Sequence, residues 1–377
     1  MNEVRAYAPG RTELAGNHTD HQGGRVIAAA VDCGVEVIAR PNDASCARVQ
    51  SAGFVPTDVR IAEAADFEPR SEERFTTAAL VRGVVAGLRA RGVPIAGFDA
   101  QVTSTVPAGG GLSSSAAFEL ALARALCGLF GQGELSAVDL ARIGQAAERD
   151  FFGKACGLMD QLAVALGGVA AIDFAHDEPR IERIDFDFAA CGYALCLVDT
   201  HCDHSRYTEE YSQVPRDMDA VASLLGAHVL SQVPESAFLE RFDEVRSTLG
   251  DVPALRALHY YYENRLVDAR VAALRAGDID EFLRLTRLSG ASSAQYLQNV
   301  STCDRAEQPA MVALALADVL LEGEGACRIH GGGFGGTVQA FVPLDRAAAF
   351  SRALDVRLGE GSCRVYGIDP LGARVLS

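Results

Sequence analysis

Residues 107–116, Pro107-Ala-Gly-Gly-Gly-Leu-Ser-Ser-Ser-Ala116, decide the reading of this chain. Three glycines run into three serines, and an almost uninterrupted apolar run, Ala116 to Phe130, follows. Gly109, Gly110 and Gly111 permit backbone angles closed to other residues and let a ligand approach the main chain closely. After Leu112, the serines Ser113, Ser114 and Ser115 stand where a helix begins, with unpaired N–H groups and the positive end of the helix dipole facing whatever the loop encloses. Upstream, Phe98 to Val106 reads as a strand, so the order is strand, glycine loop, helix, the order that phosphate sites use. A triphosphate fits that description. A Walker A loop would close on Gly-Lys-Ser/Thr, and no lysine stands here. A phosphate bound by this loop would be held by backbone, hydroxyls and a metal ion. Taken alone, the same letters also describe a serine-capped buried helix after a flexible turn.

The chain around this loop has 377 residues, is 49% hydrophobic and 22% charged, and carries a formal net charge of −16. Its length suggests two domains, with a polar, charge-dense stretch, Ala175 to Ala189, as the boundary. The segments are therefore 1–188 and 189–377. An acidic balance of this size argues against a nucleic-acid or anionic-membrane partner, and no apolar run reaches the roughly 18 residues that span a bilayer. Binding an anion on such a protein calls for locally concentrated positive charge, with a divalent cation as the usual helper. The 10 cysteines form no Cys-x-x-Cys pair. With no signal-peptide pattern at Met1-Asn2-Glu3, they read as reduced, mostly buried thiols in a cytoplasmic protein. His201-Cys202-Asp203-His204 is metal-like in type but too crowded for a zinc pattern, and reads as a polar loop. Lys154 is the single lysine among 34 Lys and Arg residues, so any lysine-dependent chemistry must run through it.

Along the rest of the chain, Val4 to Ala8 and Val26 to Arg40 read as strands. Phe75 to Arg91 reads as a helix closed by Gly92 and Pro94. Ser136 with Asp139 resembles a capping box, opening a helix to about Asp150. A short helix covers about Leu158 to Leu166, and strands follow at Val169 to Phe174 and Tyr193 to Val198. The second half opens on helical patterns at 217–231, 253–276, 279–289 and 307–322. It closes on strand, glycine loop, strand at 325–342.

Three further places could carry chemistry. Ala8 to Gly24 packs Arg11, Glu13, Asn17, His18 and Asp20 between turn residues, a density of acid, amide and imidazole suited to several neighbouring hydroxyls. A long capped hairpin is the plain alternative. Asp160, in Cys156-Gly-Leu-Met-Asp-Gln161, lies off the apolar face of its short helix, where the dipole alone could also favour an acid. Glu148 ends the preceding helix, an unfavourable place for a carboxylate that invites a metal explanation. His330-Gly-Gly-Gly-Phe-Gly-Gly336 formally contains Gly-x-Gly-x-x-Gly. A strand follows instead of a helix, so the dinucleotide reading fails on context.

Taken together, Arg11 to Asp20, Pro107 to Ala116, Asp160 and Gly331 to Gly336 occur in the order of the three motifs of the GHMP small-molecule kinases. The resemblance spans essentially the whole chain. The first motif is similar to that of galactokinases, Gly-Arg-x-Asn-x-Ile-Gly-Glu-His-x-Asp-Tyr, and reads here Gly10-Arg-Thr-Glu-Leu-Ala-Gly-Asn-His-Thr-Asp-His21. The resemblance implies a two-domain α+β fold, ribosomal-protein-S5-domain-2-like in its first half and ferredoxin-like in its second, with the active site in the cleft between them. It implies an ATP- and Mg²⁺-dependent kinase that phosphorylates the anomeric hydroxyl of a hexose, D-galactose first among the candidates. A kinase for N-acetylgalactosamine, a uronic acid or arabinose, or a non-catalytic sugar and ATP sensor, is the alternative. The protein would be a monomer or weak homodimer. By the same resemblance Asp160 is the catalytic aspartate and Arg11 the arginine beside it. Asn17, His18, Asp20 and Tyr211 take the sugar, and Gly109 to Ser115 cradle the nucleotide. Ser115 and Glu148 hold the metal.

The departures lie in the sugar motif. The pattern's glutamate is Asn17 here and its asparagine is Glu13, so the two residue types have traded places four positions apart. Loss of a carboxylate at 17 is expected to loosen selectivity at the sugar's C6. His21 replaces a tyrosine, and Asp203 stands where a basic residue is usual.

Overall fold

The computed structural model describes residues 3–376 except 108–110, 132–134, 155 and 203. The chain opens with a long antiparallel hairpin, β1 (Val4–Ala15) and β2 (Arg25–Pro41), followed by β3 (Cys46–Ser51) and β4 (Thr57–Arg60). β5 (Phe98–Ser104), β6 (Val169–Asp173) and β7 (Arg180–Ile184) complete the first half's strands. β8 (Tyr193–Asp199), β9 (Ala326–Ile329), β10 (Thr337–Pro343) and β11 (Cys363–Tyr366) form a second, four-stranded sheet, ordered β11-β8-β10-β9. All its pairings are antiparallel. In chain order that is 4-1-3-2, the βαββαβ arrangement of a ferredoxin-like sheet. The last strand, β12 (Arg374–Leu376), belongs to the segment 189–377 but hydrogen-bonds to β1. The first, eight-stranded sheet therefore runs β12-β1-β2-β5-β3-β4, with β6 and β7 branching off the first part of β2.

The helices of the first half are α1 (Thr77–Ala90), α2 (Ser114–Phe130), α3 (Ala137–Ala146) and α4 (Met159–Leu166). α5 (Thr208–Leu224), α6 (Glu235–Glu240), α7 (Phe242–Leu249), α8 (Asp251–Ala276) and α9 (Ile279–Ser292) follow, then α10 (Pro309–Leu321) and α11 (Leu344–Leu358). Mixed helix and sheet, in two sheets, is the α+β fold expected from the sequence. One continuous apolar core joins Leu14, Ile27 and Val37 of the first sheet to Leu120 and Leu122 of α2. It also takes in Val267 and Leu274 of α8, Phe282 of α9 and Phe341 of β10. A separate cluster seats α10 and α11 on the second sheet through Ala313, Ala317, Phe350 and Leu354.

Two elements differ from the sequence reading, for physical reasons. β1 runs to Ala15 rather than stopping at Ala8, a bulge at Pro9/Gly10 absorbing the apparent turn. Exposed and buried residues alternate only from Val4 to Tyr7. From Ala8 onward both faces are covered, so Arg11, Thr12 and Glu13 are polar but buried. α5 begins at Thr208, nine residues before the expected 217, and carries Pro215 inside it, a residue that usually ends a helix. Other elements that the sequence predicts shift by a few residues at their ends, β3, β4, α6, α7, α11, β11 and β12 have no counterpart in that reading, and β7 falls within the stretch read as a boundary. Among the described residues, no helix is long and apolar enough to cross a membrane.

Candidate active site

The glycine loop docks on β1. The backbone N–H of Arg11 donates to Leu112 O at 3.1 Å, and Arg11 Nη1 donates to Gly111 O. The rest of the Arg11 fork closes on one carboxylate, Nε on Asp160 Oδ1 and Nη2 on Asp160 Oδ2, both at 2.7 Å. Ser113, held at φ 53 as the first residue before α2, gives its hydroxyl to the same Oδ2 instead of capping the helix. A non-glycine residue in the left-handed region is strained, and strain of this kind collects at ligand sites. Burial acts to raise the Asp160 pKa. The charge of Arg11, with hydrogen bonds from Arg11 and Ser113, overcomes it and holds the carboxyl at about 2. Strand, glycine loop and α4 thus meet at one ionised aspartate with 22% of its side chain open to the cleft.

Glu148 sits beside this point. It is buried, in a single wide π turn, Ala147–Phe152, that ends the helix begun at Ala137. Its Oε1 accepts from Ser115 Oγ (2.9 Å) and from Lys154 Nζ (2.8 Å), and its Oε2 from Gln161 Nε2 (3.0 Å). Behind it Glu119 is fully buried, and its Oε1 has no hydrogen-bond partner. Burial, with the Glu148 charge added, pushes the Glu119 carboxyl well above its ordinary range. Ser115 and Glu148 offer neighbouring hard oxygens of the kind Mg²⁺ takes alongside phosphate and water. Among the described residues no group of three or more His, Cys, Asp or Glu side chains gathers as a metal cage.

The sugar motif continues from β1 into the short turn Asp20–Gln22. His18 donates from Nε2 to Gly332 O (3.2 Å), and its ring lies 5.5 Å from that of Tyr211 on α5. Burial, with His21 nearby, lowers the His18 pKa to about 3, so the ring is neutral. The Tyr211 ring covers Gly332 so closely that a Cβ there would stand 2.3 Å from its Cε2, and only glycine fits. Asp20 lies against Gly157, just ahead of α4. Burial and the neighbouring Asp160 charge lift its carboxyl to about 6. Asn17 differs from these. It is wholly buried; its Nδ2 donates to Gly331 O, and its Oδ1 accepts from Asn299 Nδ2 (2.8 Å) and Ser293 Oγ (3.3 Å). Of the expected site residues, Arg11, Ser113, Asp20 and Tyr211 thus gather around Asp160, with His18 against Tyr211 and the Ser115–Glu148 pair beside them. Leu112 is buried beneath them, and Gly111 and Ser114 are exposed at the glycine loop. Gly109, Gly110 and Asp203 lie outside the described residues.

Sequence reasoning missed a buried scaffold under the motif. Glu13 pairs with Arg328 of β9, and Arg328 Nη1 and Arg270 Nη2 both donate to Leu14 O. Glu263 accepts from Gly16 N (3.1 Å) and Ser289 Oγ (2.7 Å), and His259 Nε2 donates to Asn17 O (2.9 Å). His259 therefore carries its proton on Nε2 and accepts from Ser292 at Nδ1. His330 Nε2 accepts from Glu13 N (3.1 Å), so it too is neutral. The one local signal is that charged residues recur singly along the helical pattern 253–276, which also fits a solvated face.

Comparison with known proteins agrees with this geometry. The GHMP kinase N-terminal domain pattern matches residues 79–168, and the galactokinase galactose-binding signature matches residues 2–41. The chain is 31% identical to a galactokinase of Glaesserella parasuis, over 94% of this chain and 88% of the relative. It is 34% identical to a galactokinase of Streptomyces coelicolor, over 92% and 87%. The chain belongs to the galactokinase family of GHMP kinases. Its fold matches the crystal structure of Lactococcus lactis galactokinase complexed with galactose at a TM-score of 0.81 and 23% identity, covering 99% of this chain and 95% of that one.

Proposed function

We propose that this kinase transfers the γ-phosphoryl group of ATP to the anomeric hydroxyl of D-galactose, giving α-D-galactose 1-phosphate. The observation that carries the reading is the joint between Arg11, Ser113 and Asp160. It brings the phosphate loop and the first motif to one ionised carboxylate in a galactokinase-family chain. Phosphoryl transfer asks for reactants held in line and charge neutralised on the transferred group, with little covalent help. Asp160, charged at neutral pH, accepts the hydrogen bond of the attacking hydroxyl and takes its proton late, when the oxygen has become acidic. Arg11 balances the negative charge that gathers there. His18, Asp20 and Tyr211 bind the ring hydroxyls and face of the sugar. The loop Gly109 to Ser115 and the N-terminus of α2 hold the phosphates. Ser115 and Glu148 would hold Mg²⁺, which when bound neutralises β- and γ-phosphate charge.

Asn17 supports one refinement. With its amide committed to Asn299, Ser293 and Gly331, it offers the sugar no carboxylate at C6, which fits looser selectivity there. The test is ADP release from Mg²⁺-ATP across galactose, glucose, N-acetylgalactosamine, arabinose, galacturonate and a no-sugar control. Turnover concentrated on galactose is expected. Turnover on another sugar with galactose poor would overturn the substrate, and binding without turnover would make the protein a sensor.

A further inference from the structure

Every other basic residue in this chain is arginine or histidine, and the one lysine stands at the phosphate site. Its position is built. The π turn Ala147–Phe152 is closed by Gly153, whose φ of +93 turns the chain back. Gly153 N and Lys154 N both donate to Glu148 O at 3.0 Å. Arg74 Nη2 braces the same bend by donating to Gly153 O at 3.2 Å. The result aims the Lys154 ammonium at Glu148 Oε1 (2.8 Å), the oxygen that Ser115 also bonds, while 56% of the lysine side chain stays open to solvent. Glu148 itself is 2% exposed.

Resting on the kinase reading above, we propose that Lys154 serves the triphosphate in two positions. Without a metal ion it is the resident cation on Glu148. When ATP enters it also takes a phosphate oxygen with another of its N–H donors, and when the nucleotide carries Mg²⁺ it gives up the Glu148 oxygen and keeps the phosphate. Two cations cannot share one carboxylate oxygen without strong repulsion, and the half-exposed ammonium is the one free to move. A compact ammonium with rotatable donors on a flexible stem suits two partners in turn, whereas a guanidinium fork suits one fixed plane. Arg11 cannot fill this role, because Asp160 already engages it on two nitrogens.

The test compares the wild-type chain with Lys154→Met and Lys154→Arg, each checked by thermal melting. ATP affinity in EDTA is measured by calorimetry, and Mn²⁺ affinity without nucleotide by electron paramagnetic resonance. Lys154→Met is expected to weaken metal-free ATP binding about tenfold, the loss of one charge-assisted contact, and to tighten nucleotide-free Mn²⁺ binding several-fold. Lys154→Arg, which keeps the charge, is expected to retain most of the metal-free affinity. Equal metal-free ATP affinities in wild type and Lys154→Met, or unchanged Mn²⁺ affinity, would overturn the proposal. A wild-type chain that binds no ATP even with Mg²⁺ would overturn the kinase reading itself.

Discussion

Strand β1 carries two ion pairs two residues apart, and they are made for opposite purposes. Arg11 pairs with Asp160 at the cleft, 10% and 22% exposed, and Glu13 pairs with Arg328 under the motif, 4% and 0% exposed. The outer pair sits where a ligand can reach it, between the glycine loop and α4. The inner pair is sealed among α8, α9 and the second sheet and carries Leu14 O as a third partner. The same chemistry is therefore open to a ligand at one end of three residues and sealed into the architecture at the other. The exchange of Glu and Asn between positions 13 and 17 falls on the sealed side of that divide.

The largest expected effect breaks the outer pair. Asp160→Asn keeps the shape but removes the proton acceptor and the charge that positions Arg11. A fall in kcat of about 10³-fold or more is expected, with the sugar KM changed by less than about tenfold. A variant retaining a tenth of wild-type kcat would refute the role given to Asp160.

Arg328→Met breaks the inner pair and leaves Glu13 buried without its partner. Loss of one member of a buried pair costs about 3–5 kcal/mol. Differential scanning calorimetry should show a Tm lower by on the order of 10 °C, while kcat of the remaining folded protein falls much less than in Asp160→Asn. A melting curve matching wild type would mean the pair is not structural.

Two carboxylates sharpen the comparison through pH. Asp160 is held at about 2 and Asp20 lifted to about 6, although they face one cleft. For Asp160, whose folded pKa is depressed, the stabilisation is present at neutral pH and lost as pH falls from about 4 toward 2. Asp20 has the opposite sign. The folded state holds its proton more tightly than the unfolded chain, so stability declines as pH rises from about 4 through about 6. Asp20→Asn should stabilise the sugar-free protein at pH 7 by about 1–3 kcal/mol, the gain fading below pH 5. Urea unfolding at pH 7.5 and 4.5 measures both ends; an equal difference at the two pH values would show Asp20 to be unshifted.

How much of this was legible follows from the same division. The glycine loop, α2, α4 and the glycine-rich turn before β10 announce themselves, because glycine, serine and helix-period patterns are local signals. The second half of β1 does not, since its residues are buried on both faces and no longer alternate. From sequence α5 reads as starting after Pro215, because local propensity has no way to know that neighbouring packing keeps this proline inside a helix. Glu263, His259, Arg270 and Arg328 are invisible to any local rule. Each looks like a surface residue until the fold brings Gly16, Asn17 and Leu14 against it.

The smallest expected effect concerns the sugar's C6. A glutamate at 17 would bring a carboxylate against the Gly331 carbonyl, which the Asn17 amide now satisfies as a donor. Asn17 Oδ1 meanwhile takes the amide of Asn299 rather than a ligand hydroxyl. A site that hydrogen-bonds a hydroxyl rejects the analogue lacking it by a large factor, because its polar group is left unpaired. A site whose polar group is already paired loses little. The ratio of kcat/KM for galactose over 6-deoxygalactose should therefore be less than about tenfold, roughly one hydrogen bond's worth. Asn17→Glu should not restore strict selectivity unless Asn299 and the Gly331 loop also rearrange. A discrimination of 10³-fold or more in the wild-type chain would mean that a group other than Asn17 reads C6, and would overturn the looser selectivity proposed here.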